Sequence, residues 1–186
     1  MSRGVFIYGL VCLLAAGSAA ADGRNPLFQE HEALKAVLTA PISQVYAQRH
    51  SDVRLYFPGQ WTYIDAAGEP QRLEVSVRIR GNFRKNYCEL PPIRLNFKKS
   101  QVNGTLFAGQ NKLKLVGPCQ HGLTSQPNQI LADTAYRLYE ILTDPSVGAR
   151  LPRRSSLDSA ETRKAWTDLA FDIEADGDIG KRLGLA

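Results

Sequence analysis

The 186-residue sequence predicts an α+β fold, mainly an antiparallel sheet packed against one long helix. Runs between Trp61 and Val116 alternate apolar and polar residues, the pattern of antiparallel strands with one packed and one open face. A later run, Asn128 to Leu142, repeats its apolar residues at helical spacing instead. No strand–helix–strand alternation connects the two, which excludes a parallel α/β design.

The chain opens with the layout of a secretory signal peptide. Arg3 is basic, Val5 to Ala16 are apolar, and Ala19-Ala20-Ala21 are small. A membrane anchor needs roughly 20 apolar residues, and this run is shorter. Residues 1–21 therefore read as a leader cleaved near Ala21-Asp22, and residues 22–186 as one domain without a membrane span, periplasmic or secreted. The formal charge of +5 falls by one with Arg3. So mild an excess fits an anionic small molecule or an envelope protein as partner, and no nucleic acid. Cys12 belongs to the leader, which leaves Cys88 and Cys119. In an oxidising compartment such a pair reads as a disulfide, since no histidine spacing completes a metal site.

Glu32 to Thr39 fits a strand or a helix, and Pro41 suits the first turn of a short helix reaching about Gln48. Trp61 to Asp65 and Arg72 to Arg80 form a hairpin through Ala66-Ala67-Gly68. Strands follow at Ile93 to Lys98 and at Lys112 to Val116. Ser125 is placed to cap the long helix and Asp144-Pro145 to stop it, with Leu131, Ala135, Leu138 and Leu142 turned to the sheet's apolar face. Trp166 to Ile173 reads as a further strand, and Asp176 as the cap of a last short helix.

The polar faces of these strands bring Arg78, Arg80, Arg94, Lys98, Lys112 and Lys114 to one side of the sheet. Converging guanidinium and ammonium groups favour a phosphate or another polyanion. The competing reading is a solvated face whose charges discourage edge pairing. Gly81 in Arg80-Gly81-Asn82 permits a close approach of backbone to an anion, or simply makes a turn. Asp172, Glu174, Asp176 and Asp178 imitate the start of a calcium loop, but position twelve is Leu183 rather than a bidentate glutamate. No nucleophile elbow, phosphate loop, dinucleotide fingerprint or zinc-protease helix is present in the sequence.

Several segments recur together in one known family. Val77-Arg78-Ile79-Arg80-Gly81-Asn82, then Pro91-Pro92-Ile93-Arg94-Leu95-Asn96-Phe97-Lys98-Lys99, then Leu106-Phe107 and Lys112-Leu113-Lys114-Leu115-Val116 resemble the CotH-like spore-coat kinase superfamily over about Arg72 to Glu174. The resemblance implies a kinase-like N-terminal portion that binds ATP with a divalent metal. It sets Arg80, Asn82, Lys98 and Lys114 near the nucleotide, with Glu174 orienting the site. The family's metal-holding and catalytic acids lie beyond the strand that Glu174 ends. The expectation is therefore an exported domain that binds a nucleotide or phosphate without a complete phosphotransferase site. The alternative is a non-catalytic structural or protein-interaction domain of the envelope.

Overall fold

The computed structural model describes residues 23–122, 126–143 and 145–185, so the expected leader, the Ser125 cap and the Asp144 stop lie outside the described residues. The fold is α+β. Nine strands run in chain order as β1 (Lys35–Ala40), β2 (Phe57–Ile64), β3 (Pro70–Ile79), β4 (Ile93–Phe97), β5 (Lys112–Val116), β6 (Ala149–Arg150), β7 (Arg153–Asp158), β8 (Trp166–Leu169) and β9 (Phe171–Ile173). Among them lie α1 (Ile42–Ala47), α2 (Phe83–Tyr87), α3 (Lys99–Val102), α4 (Gln126–Leu142) and α5 (Asp176–Arg182). The ambiguous segment before Pro41 is a strand, because β1 has partners on both sides: β2 antiparallel and β7 parallel. The β2–β3 hairpin turns where expected. Asp65 Oδ1 accepts the Ala67 and Glu69 N–H groups, both at 2.9 Å, and Gly68 takes a φ of +84° that favours glycine.

All nine strands form one mixed sheet in the order β6-β9-β5-β4-β3-β2-β1-β7-β8. Its two ends are made by the same hairpin. β6 and β7 are halves of one strand interrupted at Pro152, which has no N–H for a ladder. β8 and β9 are halves of another, interrupted at Ala170, whose N–H donates to the Pro152 carbonyl at 3.1 Å. One half of the hairpin pairs with β5 and the other with β1. A flat sheet of nine strands is about 38 Å wide. Leu169 and Phe171 are two residues apart, so the sheet must curl until its ends meet.

The inside of the curl is the core. Trp61, Tyr63, Leu38, Val77, Ile93, Leu95, Leu113 and Leu115 all point into it, and Phe107 packs edge-on against Trp61 and Tyr63. The closing hairpin adds a polar seam to this interior. Arg154 on β7 pairs with Asp168 on β8 at 2.8 Å, both buried, and Arg150 on β6 lies opposite Asp172 on β9. Neither oxygen of Asp172 has a hydrogen-bond partner among the described residues.

α4 corrects the sequence reading. Leu131, Leu138 and Leu142 are 69%, 54% and 79% exposed, and Ala135 is exposed too, whereas Gln129 and Asp133 are buried. The apolar face of the sheet is the inside of the curl and is already filled, so a helix can only lie on the outside. α4 does so with its polar side inward. Arg24 reaches Glu140 at 3.1 Å, Arg137 holds Asp133 at 2.6 Å and the His31 carbonyl at 2.8 Å, and Tyr136 packs on Phe171. Asp176 is likewise no cap. The N-cap of α5 is Ala175, and Asp176 is the first helical residue.

Burial pushes the Asp172 carboxyl up to about 7, against the opposing pull of Arg154 and Arg150. The folded chain thus holds this proton more tightly than the unfolded chain. The stability it contributes is full in acid and is lost as pH rises through about 7. Asp172→Asn should remove this dependence. Urea unfolding from about pH 5 to pH 8 should show the variant gaining stability relative to the parent as pH rises.

Candidate functional site

The outward face of β3, β4, β5 and β9 carries a row of directly opposed residues. Arg78 pairs with Arg94, Arg94 with Lys114, and Lys114 with Ile173. Three cations in register across neighbouring strands repel one another, which costs stability unless something negative sits over them. The chain itself supplies little. Asp176, from the first turn of α5, forms an ion pair with Lys114. That hydrogen bond, with the charges of Lys114, Arg80 and Arg94, holds its carboxyl below the usual range. Arg78 lies over the Tyr56 ring, 4.8 Å from its centre. The Nε atoms of Arg78 and Arg94 are buried without a hydrogen-bond partner among the described residues.

Arg80 extends the row beyond the end of β3, where its N–H donates to the Pro92 carbonyl at 2.9 Å. Burial, and then the charge of Arg94, lower its pKa, with Asp176 opposing. Gly81 then turns with a φ of +86°, a conformation that a side chain resists, so the glycine is required by the turn itself.

Next to the row, between the sheet and α4, lies a cavity of about 550 Å³. Val116, Phe171 and Ile173 form its apolar floor, and Gln129, Tyr136 and Arg84 stand around it. Arg84 donates to the Gly117 carbonyl at 2.8 Å, and burial lowers its pKa. The Oε1 of Gln129 is buried without a hydrogen-bond partner among the described residues. A larger depression of about 1150 Å³, lined by Tyr63, Gln71, Leu106 and Arg150, contains none of the row's cations. The smaller cavity is not lined by those cations either, but it adjoins the row through Ile173, which pairs with Lys114, and it carries Arg84.

The remaining expected residues are dispersed. Lys112 is exposed, opposite Asn96 and one step along the face from Lys114. Lys98 is exposed past the end of β4, where it precedes α3. Asn82 is exposed at the start of α2 and accepts from Arg54 at 3.3 Å. Glu174 is 2% exposed, and its carboxylate is committed to the Gly148 N–H at 3.0 Å and to Arg182 at 2.9 Å. Gln129, Tyr136 and the pairing of Asp176 left no signal in the sequence. Only the clustering of Arg84 with Arg80 was visible beforehand.

The cavity's rim is tied by the disulfide between Cys88 and Cys119, whose Cα atoms are 4.6 Å apart. It joins the end of α2 to the loop after β5, supported by the Leu90 N–H donating to the Cys119 carbonyl at 3.1 Å. Among the described residues, no three of histidine, cysteine, aspartate and glutamate converge to hold a metal ion, and no helix is long and apolar enough to cross a membrane. The chain matches no family model, no curated protein and no solved structure.

The disulfide closes a loop across a separation of 31 residues, which chain entropy values at roughly 3 to 4 kcal/mol. Replacing both cysteines with alanine should lower the unfolding free energy by about that amount in a denaturant titration. An unchanged midpoint and slope would show that this bridge does not restrain the unfolded chain.

Proposed function

We propose that this domain, exported from the cytoplasm, binds an anionic phosphorylated ligand such as ATP, with its phosphates on the Arg78–Arg94–Lys114 row and Arg80. The in-register row of three cations facing a single carboxylate carries this reading. Mutual repulsion raises the free energy of the row when nothing covers it, and a bound anion relieves that repulsion. The partly exposed guanidinium groups of Arg78 and Arg94 supply donors for charge-assisted hydrogen bonds. The adjoining cavity, with its apolar floor beneath Gln129 and Tyr136, has the size and mixed chemistry of a small-molecule site.

A relationship to the CotH-like kinases supplies the same ligand class and is part of the proposal, as is a kinase-like arrangement of β3, β4 and β5. The residues present fit the phosphates better than they fit a protein-held magnesium ion. Asp176 is the one carboxylate facing the row among the described residues, and it is already paired with Lys114. Magnesium-dependent phosphoryl transfer needs acids that hold metal and orient the nucleophile. The reading is therefore one of ligand binding, and no transfer step is drawn through this site. The rival class, a protein-contact domain of the envelope, draws support from the outward side of α4.

Nucleotide should raise the melting temperature saturably, by roughly 5 to 10 °C at a hundredfold excess over Kd, and the shift should persist in EDTA. Arg94→Ala and Arg80→Ala should each abolish it while leaving the unliganded melting temperature within a few degrees. Sodium chloride at matched ionic strength is the control. An identical response to both salts would make the row a solvated face.

A further inference from the structure

α4 is amphipathic the wrong way round for a lone domain. Its charged residues, Asp133, Arg137 and Glu140, all lie on the side turned towards the body of the protein. The opposite side is apolar and open: Ile130, Leu131, Leu138, Tyr139, Ile141 and Leu142 are each at least half exposed. On a helix of 3.6 residues per turn, these residues with Thr134 and Ala135 fill a continuous arc of roughly 180° that holds no charge. Exposed apolar surface gathered on one face marks an interaction site.

Spacing identifies the kind of partner. Leu131, Ala135, Leu138 and Leu142 recur at intervals of four, three and four, the seam of a two-helix coiled coil. The seam also complements itself. If a second α4 is laid antiparallel about an axis between positions 135 and 138, each Leu138 falls beside the partner's small Ala135. Each Leu131 then falls beside the partner's Leu142. The two-fold operation leaves the same patch on both chains, as a closed dimer requires. Although the protein is net basic, the arc is neutral, so two copies meet there without opposed charges. At the observed exposures, the six large side chains offer on the order of 700 Å², close to the ~800 Å² each partner contributes to a standard interface.

We infer that the protein forms a two-fold homodimer through the outward face of α4, in an antiparallel helix pair centred on Ala135 and Leu138. The cavity takes Gln129, Ala132 and Tyr136 from a different flank of the same helix, so the seam residues Leu131, Ala135, Leu138 and Leu142 are not among its lining. The inference stands independently of the ligand.

Sedimentation velocity on the protein over a concentration series tests it. The expected result is a concentration-dependent species with the mass of two chains. Leu138→Glu and, separately, Leu142→Lys should abolish it at every concentration tested. Both side chains are exposed, so circular dichroism and thermal melting should show each variant folded as the parent is. A parent chain that stays monomeric throughout would overturn the inference. So would a dimer that survives both substitutions, because it would then form through another surface.

Discussion

The pairing of one bent hairpin with both ends of the sheet is the constraint on which the rest of the molecule depends. Because β6–β7 and β8–β9 break at Pro152 and Ala170, β9 can pair with β5 while β7 pairs with β1. The sheet is thereby forced to curl, and its apolar face becomes an enclosed core. The hairpin pairs its own buried charges, Arg154 with Asp168, although Arg154 Nε and Asp168 Oδ1 have no hydrogen-bond partner among the described residues. Asp172 is the residue left over. Burial among two arginines without a hydrogen-bond donor raises its affinity for a proton rather than for a partner.

Closure also decides what the outer face can be. β9 enters beside β5 and sets Phe171 and Ile173 next to Val116 and Lys114, which turns a basic strand surface into one wall of a cavity. The chain leaving β9 delivers α5, whose first residue is the carboxylate that faces Lys114. With the inside of the curl full, α4 has only the outer face to lie on. It meets polar and charged groups with its polar side, and its leucines face outwards as a direct result. The row of cations and the apolar arc are thus two products of one topology.

The parts of this arrangement that the sequence revealed are those where burial and hydrophobicity coincide. β3, β4 and β5 alternate Val75-Val77-Ile79, Ile93-Leu95-Phe97 and Leu113-Leu115 against basic residues, so both the strands and the cationic face were readable from period two alone. β7 was not, because its inward residues are Arg154, Ser156 and Asp158. The alternation is present, but it is polar on the buried side. The run from Trp166 to Ile173 read as one strand, and nothing local in it shows that Ala170 hands the chain from one end of the sheet to the other. The existence of α4 followed from its leucine spacing, whereas its orientation did not. Periodicity locates an apolar stripe without saying which surface is free to receive it. α2 and α3 are too short to leave a periodic signal.

The central claim, that the opposed cations act together as an anion site, can be read directly at the arginine side chains. Nitrogen-detected or proton–nitrogen NMR of the Nε–H groups during a phosphate titration at constant ionic strength separates the groups by position. The Arg78 and Arg94 signals, whose Nε atoms have no hydrogen-bond partner among the described residues, should shift saturably and with one common Kd. The Arg150 Nε–H, which donates to the Glu32 carbonyl at 3.0 Å, should not move. Equal, non-saturating drifts of all three signals, the same with chloride as with phosphate, would contradict the account.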